Sequence, residues 1–482
     1  METQNKHPLG KGRIVTLVTT STVVIYLGLI IGWHLYSPRN ELELQTPGAD
    51  NRPEASARKS NDVRIGEFFM RYDEAESSLT GRWNSFRGEL STNIIKTSDK
   101  IDVNQEDYPV QWSVETGEGH AAPVIFNGYV YFLDYDESLN SDALRCFSLE
   151  SGKELWRRWY RVPMKRNHGF SRTVPFVSET FIITIGPQGH VMCCDPVTGD
   201  LKWTLDIQQE YNSEMPPWYA GQCPYVDGNT LVLAPAGENV LLTGVDCETG
   251  EILWETPNSI KYKMSHSSVM PMTFSGKKTY VYIGLGGVCG VSAEQEDLGA
   301  LLWHANKWQP SVIAPSPIQV SSNLVFLVAG YGTGGAMLRV EKNGSEWKAS
   351  ITTQHKSNEG MASEQQTPIL YNDLIISIMP KDGGSLRGRI VCYSPSDLRN
   401  PVWSSDERFG LGPYLIINNN LFVFNDDGEL YVYEIQSRGM TLLKKQQVID
   451  DGADAWGPLA YADGRLIVRD AHIVKCLKII EN

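Results

Sequence analysis

The stretch Val191-Met192-Cys193-Cys194-Asp195-Pro196-Val197-Thr198-Gly199-Asp200-Leu201-Lys202-Trp203 is written again on either side of itself. Leu144-Arg145-Cys146 through Glu150-Ser151-Gly152-Lys153-Glu154-Leu155-Trp156 is one copy, and Val245-Asp246-Cys247-Glu248-Thr249-Gly250-Glu251-Ile252-Leu253-Trp254 is another. Each copy reads as an apolar strand, a tight turn whose Gly supplies a positive φ, and a second strand ending on Trp. In a chain of 482 residues the repeats decide for one large array over several unrelated domains.

A second signal has the same period. Hydrophobic strands open on a Pro at Ala122-Pro123, Val174-Pro175, Cys223-Pro224, Met270-Pro271, Ser316-Pro317, Thr367-Pro368, Gly412-Pro413 and Gly457-Pro458. Most are followed by a turn such as Asn127-Gly128 or Asp463-Gly464 and then a further strand. The unit is therefore four short strands. Eight units between Trp112 and Asn482 average about 46 residues, the spacing of propeller blades. Closing tryptophans fall at Trp156, Trp203, Trp254, Trp303, Trp347 and Trp403, with a degenerate seventh near Leu442-Leu443. The eighth unit runs out of chain after three strands. Val110-Gln111-Trp112-Ser113, a Trp strand with no strands of its own, supplies the missing one. The expectation is an all-β, eight-bladed β-propeller over residues 108–482, closed by an N-terminal strand so that no sheet edge is left open.

Residues 1–13 carry Lys6, Lys11 and Arg13 against Glu2, and Ile14 to Trp33 is an uncharged run long enough to span a hydrocarbon core. The reading is a cytoplasmic tail (1–13), a transmembrane anchor (14–36), a polar tether (37–62) and an N-terminal extension (63–107) packed on the outside of the propeller. The positive flank places the propeller across a bacterial inner membrane, on the periplasmic side. A cleaved signal peptide competes, but the apolar run exceeds an h-region and no small-x-small site follows closely. A net charge of −14 without basic clusters excludes nucleic acid as a partner. Cys146 and Cys193 lie ten residues before the repeat Trp and Cys392 eleven, with Cys476 in the equivalent strand of the last repeat. They read as small apolar core residues, silent about redox compartment.

The segments Ser151-Gly152-Lys153-Glu154-Leu155-Trp156, Thr198-Gly199-Asp200-Leu201-Lys202-Trp203 and Thr249-Gly250-Glu251-Ile252-Leu253-Trp254 resemble the PQQ-like β-propeller repeat family over about residues 108–482. Two branches of that family bear on function. BamB-type proteins of outer-membrane β-barrel assembly are non-catalytic scaffolds. Quinoprotein alcohol dehydrogenases hold pyrroloquinoline quinone and Ca²⁺ in the propeller centre. Trp83-Asn84-Ser85-Phe86-Arg87-Gly88, His168-Gly169-Phe170-Ser171-Arg172-Thr173-Val174-Pro175 and Tyr219-Ala220-Gly221-Gln222-Cys223-Pro224 further resemble membrane-anchored bacterial members of unassigned function. Unlike BamB-type proteins, this chain has no Cys after the apolar run for lipid attachment, which counts against a β-barrel assembly role.

Adjacent cysteines invite comparison with the vicinal disulfide of the dehydrogenases, but Cys193 fills the slot of Cys146 one repeat earlier, so Cys193-Cys194 reads as strand packing. No haem motif, Gly-x-Ser-x-Gly or paired-carboxylate spacing is present, and Gly284–Gly287 and Gly330–Gly335 precede no helix. Asp134–Glu137 and Asn425–Gly428 could coordinate Ca²⁺ but read as solvated turns. In a closed propeller the connections leading into the inner strands rim the central channel; here they carry His120, His168, Arg172, Gln222, His266, Gln366 and Trp456. That rim is the candidate site for a polar or anionic ligand, or else a set of side chains that fills the channel. No catalytic residue, metal or cofactor is expected. The functional expectation is a non-catalytic binding or assembly platform in the cell envelope, its protein or envelope-polymer partner unnamed. The alternative is a quinoprotein-like oxidoreductase using pyrroloquinoline quinone and calcium.

Overall fold

The computed structural model describes residues 10–36, 63–74 and 77–481, in two units divided at Asp62. In the first, α1 (Lys11–Tyr36) is a single helix whose window Val15–Trp33 has a mean hydropathy of 2.0 and is long and apolar enough to cross a membrane. An N-terminal signal sequence has the same properties. The hydroxyls of Thr19, Thr20 and Thr22 donate to the carbonyls four residues back, so the helix satisfies these polar groups itself. Residues 1–9 of the expected tail and the expected tether, 37–62, lie outside the described residues.

The second unit is eight antiparallel sheets in chain order, each built on four strands. Blades 1 to 7 occupy residues 124–161, 176–206, 225–257, 270–305, 318–355, 369–404 and 414–447. Blade 8 takes three strands from 460–478 and its fourth from β4 (Val110–Glu115), which pairs with Ile473–Lys478 and sets Trp112 opposite Cys476. The ring is closed by the N-terminal strand, as the orphan Trp implied.

The repeated Trp and Gly have one explanation between them. Each indole reaches across to the turn of the next blade: an added Cβ would lie 2.4 Å from Trp112 at Gly152, 3.0 Å from Trp156 at Gly199 and 2.7 Å from Trp203 at Gly250. These glycines also hold positive φ, so the turn excludes a side chain on two counts. The Nε1–H of Trp112 donates to Leu149 O and that of Trp203 to Cys247 O, both at 2.8 Å. Within its own sheet each indole needs a small neighbour. Cys146, Cys193, Gly244, Gly290, Cys392 and Cys476 stand opposite Trp156, Trp203, Trp254, Trp303, Trp403 and Trp112. All eight cysteines are buried and free, Cys193 and Cys194 included.

Two expectations need correction. Trp347 is not a repeat tryptophan. It faces Lys342 near the tip of a hairpin of two ten-residue strands, half-buried under that ammonium at 5.2 Å, while the bulge that marks the repeat position falls at Met337/Leu338, opposite Thr353. The longer hairpin carried the Trp past the repeat position. In blade 7 that position holds Lys444, whose Nζ donates to Glu106 O at 2.6 Å.

The second correction concerns residues 63–107. β1 (Phe68–Arg71) does add to the outer edge of blade 1. The rest does not stay outside. β2 (Arg82–Trp83) pairs with the innermost strand of blade 1, and β3 (Ile94–Ile95) runs parallel to the innermost strand of blade 7. Between them the chain crosses one end of the channel. Asn84 O accepts from Val177 N in blade 2 at 2.9 Å, and Arg87 donates to Thr367 O at 2.7 Å and Pro368 O at 3.0 Å in blade 6. Asn93 Nδ2 donates to Tyr414 O in blade 7 at 3.2 Å. The Trp83–Gly88 segment is thus a plug that spans the ring, held by a buried guanidinium that spends its donors on backbone carbonyls.

Candidate functional site

With one end plugged, the channel becomes a cup of about 210 Å³. Phe86 of the plug lines it, as do Val174, Cys223, Ser268, Thr367 and Pro458 from around the ring. Of the rim residues expected from sequence, His120, His168, Arg172, His266, Gln366 and Trp456 line this cup. Gln222 does not. Its amide is committed to its own blade, donating to Ala234 O at 3.0 Å and accepting from Ala234 N at 2.8 Å, so it is a structural brace.

Two imidazoles sit in the walls. His120 is 6% exposed, its ring 4.8 Å from that of Trp456 and its Nδ1 without a partner. Burial, aided by the charges of Arg172 and Arg469, pushes it down to about 3. His266 is 8% exposed and lies beside Trp218, the two rings tilted by 32° with centroids 6.2 Å apart. Neither of its ring nitrogens makes a well-formed hydrogen bond, the carbonyls of Pro217 and Tyr219 being its polar neighbours. Burial and then Arg172 push it down to about 4. Both rings are neutral at physiological pH.

Arg172 is the charge that both histidines feel. One of its terminal nitrogens, Nη2, points at Asn167 O, His168 O and Gly169 O at 3.2–3.3 Å, while Nε is buried without a partner. Burial brings the guanidinium down to about 10, and the groups that favour its charge are the phenols of Tyr219 and Tyr331 rather than a carboxylate. Across the ring, on blade 6, Glu364 accepts from Lys381 N at 3.3 Å and is raised by burial. Lys381 Nζ lies 5.7 Å above the ring of Trp456. That ring is fixed by Nε1–H donating to Asp426 at 2.9 Å and by its carbonyl accepting from Gln366 Nε2 at 3.0 Å.

Sequence reasoning missed Trp218, Tyr331, Glu364 and Lys381. Trp218 and Tyr331 stack at 5.9 Å and 17°, forming an aromatic wall. Glu364 and Trp218 lie on the connections already singled out, but Tyr331 and Lys381 come from hairpin turns within blades 5 and 6, which that reading did not search. One backbone feature binds the set together. His168, Trp218, Tyr219 and Tyr331 hold φ of 52°, 64°, 74° and 54°, a region bulky residues rarely occupy and one that concentrates at functional sites.

The residues do not fit a calcium–quinone centre. Glu364 is the one carboxylate among the residues lining the cup, and no group of three or more His, Cys, Asp or Glu able to hold a metal occurs among the described residues. Calcium takes six to eight oxygens, usually with several carboxylates. Cys193 and Cys194 belong to a buried strand of blade 2 and do not line the cup. The acidic turns are occupied structurally: Asp134 pairs with Arg145 at 2.8 Å, and Asn425 Oδ1 accepts from Asp427 N and Glu429 N.

A closed ring of eight four-stranded sheets, locked by Trp–Gly contacts between blades, defines a PQQ-like β-propeller. Residues 140–351 and 264–438, together more than half of the chain, match the family described as outer membrane protein assembly factor BamB, and the chain belongs to that family. Among solved structures it is similar to BamB from Moraxella catarrhalis, at 13% identity and a TM-score of 0.51, over 77% of this chain and all of that one. It is also similar to the quinohemoprotein alcohol dehydrogenase of Comamonas testosteroni, at 13% identity and a TM-score of 0.55, over 84% of this chain and 81% of that one. At these identities the likeness is one of fold. No curated protein matches the sequence.

Proposed function

We propose that this chain is a non-catalytic binding and assembly platform of the bacterial cell envelope. In this reading α1 anchors it in the inner membrane and the propeller works in the periplasm from the open mouth of the central cup. The observation that carries the reading is the cup itself. The chain spends its own Trp83–Gly88 segment closing one end of the channel, and the cup above it is walled by two neutral imidazoles, a guanidinium that pairs with no carboxylate among the described residues, and an aromatic stack. Such a site is built to hold something. The family's description as an assembly factor supports the platform role, and the basic flank of the apolar run supports the orientation. The quinoprotein reading draws on fold likeness, and the residues lining the cup have a single carboxylate, Glu364, to offer calcium.

A photo-crosslinking residue at Tyr331, on the rim, compared in living cells with one at Leu442 on the outer edge of blade 7, tests this. Both positions are exposed, at 49% and 44%. A discrete adduct from the rim position and none from the edge is the expected result. Equal labelling from both, or none from the rim, would remove the mouth of the cup as the working surface.

A further inference from the structure

We propose that the cup binds a monomeric sugar acid, with the ligand's carboxylate on Arg172 and a face of its ring against the Trp218–Tyr331 stack. This rests on reading the cup as a ligand site.

Charge argues for the acid. A partly buried guanidinium that lines the cup, makes no ion pair with a carboxylate among the described residues and hydrogen-bonds backbone carbonyls through Nη2 leaves a positive charge for a ligand to neutralise. Water can hydrogen-bond the guanidinium but does not neutralise its charge. A carboxylate does both, at the guanidinium nitrogen that the loop carbonyls on Nη2 leave uncommitted.

Size and the remaining walls argue for a single hydroxylated ring. At about 210 Å³ the cup is below the range of roughly 300–1,000 Å³ that takes drug-sized ligands, which leaves room for one ring. Trp218 and Tyr331 offer a flat apolar surface to the C–H face of that ring. The neutral His266 adds an uncharged polar ring to the wall beside Trp218. Glu364 enters from the connection into blade 6, four blades round from the connection that carries Arg172, and so faces it across the ring. A hydroxyl there finds an acceptor, while a second carboxylate would be repelled.

The test is calorimetric titration of the full-length protein in detergent, in calcium-free buffer, with glucuronate, glucose and benzoate. Glucuronate is expected to bind at least tenfold more tightly than either of the others. Arg172→Gln should erase the preference of glucuronate over glucose, and Trp218→Ala should weaken both sugars together. Melting curves of both variants verify that they are folded, and the wild-type comparison of acid with neutral sugar needs no variant at all. Glucose binding as tightly as glucuronate overturns the role of Arg172. Benzoate binding as tightly as glucuronate overturns the sugar. Failure of all three overturns the proposal, and the platform reading then stands or falls on the rim crosslink alone.

Discussion

Trp112→Ala destabilises the propeller by about 3–5 kcal/mol, the cost of truncating a buried core aromatic, whereas Trp347→Ala costs about 1–2 kcal/mol. Trp112 is 7% exposed, donates to Leu149 O, packs on Gly152 and stands opposite Cys476. Those contacts join the first strand of the ring to both the last blade and the first. Their loss also loosens the one seam at which the sheet ring can open and expose edges. Trp347 has none of these contacts: it is half-buried near the hairpin tip, packed against the edge of the core shared by blades 4 and 5 and under one ammonium. Urea melts of the two variants against wild type measure the difference. Equal losses would mean that the repeat frame is misplaced.

Acid should weaken the fold through the two walled-in histidines. His120 at about 3 and His266 at about 4 both lie below the 6.5 of an unfolded chain. Between those values the unfolded state binds protons that the folded state refuses. The stability tied to neutral rings is therefore complete above about 6.5 and is lost as pH falls, reaching about 2 kcal/mol per histidine at pH 5. Two buried carboxyls act in the opposite sense. Burial raises Asp142 to about 7 and Asp426 to about 6, so their contribution grows as pH falls from those values toward 3.8. The wild-type curve alone mixes the two. The difference between wild type and a His120→Phe, His266→Phe double variant isolates the imidazoles. On going from pH 7.5 to pH 5 the variant should gain about 4 kcal/mol relative to wild type, read from denaturant melts at each pH. Parallel pH dependence in the two proteins would show that the imidazoles are not held neutral.

What was legible in the sequence is what the repeat physics dictates locally. A Trp that must lie on the next blade's turn requires Gly there and Cys or Gly opposite, and each leaves a letter at a fixed spacing, as at Trp112, Gly152 and Cys476. The orphan strand at Val110 was readable for the same reason. Trp347 misled because the letter was right while the hairpin under it had lengthened, and spacing alone does not show a bulge. The plug was illegible because Arg87 binds backbone carbonyls at Thr367 and Pro368, groups that every sequence has. At the cup, six of the seven residues named from topology line it. Tyr331 and Lys381 were missed because they reach inward from turns inside blades rather than from connections between them. Gln222 was drawn in by position although its amide is used up by Ala234.

The most direct test of the platform reading is a titration of the full-length protein with pyrroloquinoline quinone and Ca²⁺, following absorbance, melting temperature and reduction of an electron-accepting dye with alcohols and sugars. The expected result is no calcium-dependent rise in the melt and no dye reduction. Saturable, calcium-dependent quinone binding with a raised melt and turnover of the dye would contradict it and make the cup a catalytic centre.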